Sequence, residues 1–116
     1  MAETMTRAAP ADNGALAASL RQMIAVLERE RQALAALDAD DLICAARDKE
    51  GLCDAIAAIG AQALDSETRS LAETAHQLND VNRRVRNLLA ANVAARIEAL
   101  GGHRGMNRVT YTPARA

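Results

Sequence analysis

SETRSLAETAHQLNDVNRRVRNLLAANVAARIEAL, Ser66 to Leu100, contains no Gly or Pro and repeats its apolar residues at helical spacing. Leu71, Ala75, Leu78, Val85, Leu89, Val93 and Leu100 recur at steps of three, four and seven, the period of one helical face. Ser66 stands where an N-cap is expected, and Gly101-Gly102 where a helix stops. At ~1.5 Å per residue such a helix is on the order of 50 Å long. A polar residue, Asn82, falls in the middle of its apolar face.

The rest of the chain reads as cover for part of this helix. At 116 residues there is room for one domain. Half of the residues are hydrophobic, but 28 of the 116 are alanine and Tyr111 is the single aromatic. That composition suits a narrow core in which helices approach closely over Ala and interlock Leu. Alanine also has the strongest helix propensity, and no period-2 run signals a strand. The expectation is an all-α fold, an elongated antiparallel three-helix bundle or coiled coil.

Residues 1–13, with Pro10 and a turn-like Asp12-Asn13-Gly14, read as a flexible N-terminal arm. Helix one is expected over residues 14–37. Its seam is Leu16, Leu20, Met23, Leu27, Leu34 and Leu37, with Glu30 where an apolar residue is due. Asp38-Ala39-Asp40-Asp41 is a helix-start signal, since carboxylates there bond free backbone N–H groups and oppose the helix dipole. Helix two then covers about residues 40–63, with the face Leu42, Ala46, Cys53 and Ile56 flanked by Leu52 and Ile59. Lys49 interrupts that face, and Gly51 and Gly60 weaken the helix. Leu64-Asp65-Ser66 caps helix three; a helix two that bends into helix three without reversing would instead give a two-helix shape. Residues 101–116 carry three glycines, Pro113 and three arginines and read as a flexible basic tail.

The hairpins can be checked against one another. With a first turn near Asp38 to Asp40, Leu27 faces Leu52 and Cys53, Met23 faces Ile56, Leu20 faces Ile59, and Glu30 faces Lys49. With a second turn near Asp65, Lys49 faces Asn82. The polar breaks of three seams then share one layer, Glu30–Lys49–Asn82, which would fix register because a slipped seam buries a charge unpaired. The alternative is that Glu30 and Lys49 reach solvent independently. The same pairing leaves Val93, Ile97 and Leu100 without a partner on helix two. Rimmed by Arg86 and Arg96, they form a docking face for another helix, or fray, or pack on the N-terminal arm or on a second copy.

Little in the sequence suggests chemistry. His76 has only Glu73 beside it on the helix, and His103 in Gly101-Gly102-His103-Arg104-Gly105 matches no phosphate loop. One Glu-x-x-His, Glu73 to His76, is too little for a di-iron bundle. Cys44 and Cys53 lie about half a helical turn out of phase, so they neither pair nor share a metal; small residues in a reducing compartment is the simpler reading. No enzyme, cofactor or metal is expected. No apolar run approaches the ~20 residues of a membrane span, so a cytoplasmic protein without stable membrane insertion is expected. Asp38 to Asp54 holds six acids and two bases, while Arg83 to Ala116 holds seven arginines and one acid, Glu98. A basic third admits nucleic acid through Arg83, Arg84 and Arg86. Single-strand readers want stacking aromatics, which the helices lack, so no nucleic-acid partner is expected.

Val26-Leu27-Glu28-Arg29-Glu30-Arg31-Gln32-Ala33-Leu34, then Leu37-Asp38-Ala39-Asp40-Asp41-Leu42 and Arg47-Asp48-Lys49-Glu50-Gly51-Leu52, resemble the FlgN-type flagellar export chaperones. Leu78-Asn79-Asp80-Val81-Asn82 is similar to that family's Asn-x-x-Asn stretch, and Tyr111-Thr112-Pro113 to its C-terminal tyrosine segment. The resemblance implies a cytoplasmic chaperone without ATPase activity. It would hold the C-terminal helices of the hook–filament junction proteins FlgK and FlgL and deliver them to the export gate protein FlhA. Carried over by position, Val85, Leu88, Leu89, Val93, Ile97 and Leu100 would form the cargo surface, and Tyr111 would dock at the gate. The alternative is a structural coiled-coil protein or self-associating adaptor of the export apparatus, its seams pairing across chains.

Overall fold

The computed structural model describes residues 13–103, all of them helix or short connection: α1 (Gly14–Ala36), α2 (Ala39–Ile59) and α3 (Ser66–His103). The expected arm over residues 1–12 and the tail from 104 onward, Tyr111 included, lie outside the described residues. The chain divides into two compact units, Met1–Arg83 and Arg84–Ala116.

In the first unit three helices share one aliphatic core. Leu16, Leu20, Met23 and Leu27 of α1 pack with Ala75 of α3, and Leu52, Ile56, Ile59, Leu64, Leu71 and Leu78 close around them. The two-residue connection Leu37–Asp38 puts the end of α1 beside the start of α2. Asn13, just before α1, bonds Gln62 and Ala63, just after α2. So α2 runs antiparallel to α1, with Glu30 paired to Lys49 between the two ends. Lys49 also bonds Asn79, while Arg21 pairs with Glu67 and Glu30 with Asn82. So α3 runs antiparallel to α2 and parallel to α1. The chain therefore does reverse between α2 and α3, and the two-helix shape does not form.

The face of α2 differs from expectation by one residue. Ala45 is completely buried, while Ala46 and Cys53 are exposed. The face that packs is Leu42, Ala45, Lys49, Leu52, Ile56 and Ile59, a regular alternation of three and four that passes through Lys49. The expected face also passes through Lys49, but Ala45 and Leu52 are apolar like Ala46 and Cys53, and packing selects the former pair. The helix also ends at Ile59, not at residue 63. Gly60 caps it at φ 85° and ψ 177°, a conformation that is essentially glycine's alone, so Gly60 terminates the helix rather than weakening its interior. At the far end of α3, Gly101 and Gly102 remain helical; each glycine costs a helix about 1 kcal/mol but does not forbid it.

The α1–α2 turn is tighter than the expected helix over 14–37. Leu37 is left-handed, at φ 55° and ψ 43°. Its N–H donates to the Leu34 carbonyl at 3.2 Å, and that of Asp38 to the Ala33 carbonyl at 2.9 Å. This is a Schellman closure with leucine where glycine usually stands, which turns Leu37 out of the seam and leaves it 70% exposed. Asp38 then caps α2, accepting from the Asp41 N–H at 3.1 Å.

Two side chains build the α2–α3 reversal. Asp65 accepts from the N–H of Thr68 at 2.7 Å, and Thr68 is buried. Asn13, expected in a flexible arm, is buried across the loop. It donates to Gln62 Oε1 at 2.6 Å and the Ala63 carbonyl at 3.1 Å, and accepts from the Asp65 N–H at 2.8 Å. Three loop groups and the start of α1 are thereby held by one amide.

Leu37→Gly removes a left-handed leucine and an exposed apolar side chain at once; it should raise stability by about 1 kcal/mol in urea denaturation. Hydrogen bonds from the Thr68 side chain and backbone hold the Asp65 carboxyl below its ordinary range. Its contribution is therefore present above the ordinary carboxylate range and is lost as pH falls through the depressed folded value. Asp65→Asn keeps the acceptor and removes the charge; it should be less stable than wild type near neutrality, with the difference closing in acid.

Candidate functional site

Glu30 occupies a seam position of α1, so packing of the helix turns its carboxylate inward, where it is buried. Lys49 donates to its two oxygens at 3.3 and 3.4 Å. Asn82 is completely buried and gives one Nδ2 hydrogen to Glu30 Oε1 at 2.9 Å and the other to the Leu27 carbonyl at 2.8 Å. Flipping this amide would set its oxygen against two acceptors, so the hydrogen-bond network assigns its orientation. The structure thus brings Glu30, Lys49 and Asn82 together, with Glu30 rather than Lys49 at the centre. The expected Lys49–Asn82 contact is replaced by one from Lys49 to Asn79 Oδ1 at 3.0 Å, one turn earlier on α3.

The layer is not a net gain on every bond. Asn82 Oδ1 is buried with no hydrogen-bond partner among the described residues, a penalty on the order of 1–3 kcal/mol. Removing a buried charge from its partners costs several times a surface ion pair. A slip of α1 or α3 by one residue strands the Glu30 carboxylate away from its donors. The arrangement therefore penalises other registers more than it rewards this one.

The second candidate lies on α3 from Val85 to Leu100. Val85 and Leu89 are half-buried. Leu88 is 69% exposed, Val93 53%, Ile97 62% and Leu100 67%, and every residue from Ala90 to Leu100 is exposed. Burying one such aliphatic side chain is worth ~1.5–3 kcal/mol, so leaving four on an unbroken helix is costly unless something else covers them. Arg96 is exposed among them.

The remaining features offer less. Cys44 and Cys53 are free and exposed, and His76 is exposed. Among the described residues no group of His, Cys, Asp and Glu has metal-site geometry, and no helix is long and apolar enough to cross a membrane. An open groove of about 470 Å³ runs beside α1 and α2, lined by Ala25, Val26, Gly51 and Leu52 with the polar Gln22, Arg47 and Asp48. Arg29 bridges Asp41 and Asp48 at the surface.

The roles of Asn13 and Thr68 are not foreseen from the sequence, and Asn79 is singled out there only as part of the Asn-x-x-Asn stretch, without its bond to Lys49. Asn13 stands at the N-cap position of α1, but its side chain makes no capping bond there. Its contacts to residues 62–65 have no local signature. Compared with protein-family models, with curated proteins and with solved structures, the chain matches none.

Asn82→Leu removes both donors of Nδ2 and should destabilise the fold by about 3 kcal/mol, because the Glu30 carboxylate loses a buried partner. The double variant Glu30→Leu/Asn82→Leu should recover most of that loss. Denaturant titration of both variants and of Glu30→Leu gives the coupling directly, and a value near zero would show that the two side chains act independently.

Proposed function

We propose that this chain is a cytoplasmic export chaperone of the flagellar type III pathway. In this reading α3 holds the C-terminal helix of a hook–filament junction protein of the FlgK or FlgL kind and presents it to the export gate, FlhA. The resemblance to FlgN-type chaperones supports it. The observation that carries it is the exposure of Leu88, Val93, Ile97 and Leu100 on one continuous helix.

The physical logic is helix-on-helix docking. An apolar stripe presented by a preformed helix spares the ordering cost on one side of the complex. The partner contributes the other stripe, and its residues at steps of three and four interlock with those of α3. Capture and release through burial of aliphatic surface need no hydrolysis. The cargo surface extends to the half-buried Val85 and Leu89. Tyr111, as gate-docking residue, rests on the resemblance alone. The Glu30–Lys49–Asn82 layer serves this function indirectly, by fixing the register of α3 on α1 and α2.

Pull-down with the C-terminal helix of a junction protein should succeed with wild type and fail with Val93→Asp or Ile97→Asp. Circular dichroism should be unchanged, since both positions are exposed. Retention of cargo by both variants would exclude the proposed surface. A dimer in light scattering that the same substitutions dissociate would replace this reading by the self-associating adaptor. Deleting residues 108–116 should spare cargo binding and reduce export.

A further inference from the structure

The seam of α3 carries more information than its apolar residues alone. It runs Leu71, Ala75, Leu78, Asn82, Val85 and Leu89 in alternating steps of four and three, and the same alternation continues through Asn92 and Arg96. Arg96 therefore does not rim the face; it stands within it. Val93 and Leu100 lie within one turn on either side, and Ile97 adjoins it. All four are exposed.

How this chain treats a polar residue on that seam is visible at Asn82. The neighbouring helix supplies a carboxylate, Glu30, which accepts from the buried amide at 2.9 Å. Arg96 poses a harder version of the same problem. A guanidinium stays charged at any accessible pH and offers donors in a planar fork that fits a carboxylate. A partner that covers Val93 and Leu100 also covers the arginine stem. An entirely apolar partner would desolvate the head without replacing its hydrogen bonds. A carboxylate at the facing position supplies two acceptors in matching geometry.

A second copy of the same face does not fit. Its seam offers Asn92 and Arg96 but no acid, and Glu98 sits two residues from Arg96, about 200° round the helix. Resting on the docking reading above, we infer that the partner of α3 is an amphipathic helix that carries an Asp or Glu within its apolar seam, where it meets Arg96. That carboxylate sets the partner's register on α3 and distinguishes it from other apolar helices.

The probes are three synthetic amphipathic peptides, identical except for Glu, Gln or Lys at the central seam position. Their binding to the full chain is measured by fluorescence anisotropy. The Glu peptide should bind at least about tenfold more tightly than the Lys peptide, the scale of one charge-assisted contact. Arg96→Glu should invert the order, and Arg96→Leu should abolish the discrimination. Equal affinity for all three peptides on wild type would overturn the seam carboxylate while leaving helix docking in place. Binding of none would overturn both. A dimer of the chain that Arg96→Glu disrupts would show that a second copy covers the face and would also overturn the inference.

Discussion

The buried carboxylate of Glu30 is the constraint around which the first unit is arranged. It is a charge in an aliphatic core, tolerable only because α2 brings Lys49 and α3 brings Asn82 to it. Each helix thus contributes one group, and none can shift along its axis without breaking a bond of the other two. The surrounding core cannot supply that specificity. Leu, Ile, Met and Ala without a buried aromatic interlock in several registers at similar energy. Polar groups with directional demands separate those registers, since a slip leaves the Glu30 carboxylate without its donors.

The ends of the bundle are secured by different means. At one end the reversal is achieved in Leu37 and Asp38, a Schellman closure followed at once by an N-cap. At the other, Gly60 takes a backbone conformation closed to other residues, and Asn13 satisfies groups of the loop from across the fold. Surface pairs such as Arg21–Glu67 and Arg29–Asp48 add little beside these, being exposed.

The fold was legible because its signals are periodic. Three runs of three-four spacing, two Asp-bearing starts and the absence of strand patterning suffice for three helical segments, while the reversal between the second and third rests on the Asn13 and Asp65 bonds of the folded loop. The polar breaks at Glu30, Lys49 and Asn82 identify one another because they are rare on otherwise apolar seams. What failed was local detail that depends on three-dimensional partners. Ala45 and Ala46 are indistinguishable by composition, and only packing decides which is buried. Leu37 continues the seam of α1 by spacing, yet the turn needs its backbone in a left-handed state. Asn13 belongs to the structure through residues about fifty positions away. On α3, the apolar residues beyond Leu89 were legible as a pattern, and Val93, Ile97 and Leu100 are exposed. The place of Arg96 within the seam emerges only when the three-four alternation is carried past Asn82.

The account assigns two duties to one helix: residues 66–82 hold the core, and residues 85–100 receive a partner. Amide hydrogen exchange of the full chain, with and without the C-terminal helix of a junction protein, tests that division most directly. The account predicts new protection concentrated at residues 85–100, with exchange in α1, α2 and the first half of α3 unchanged. New protection centred on the groove beside α1 and α2, with residues 85–100 unaffected, would contradict it.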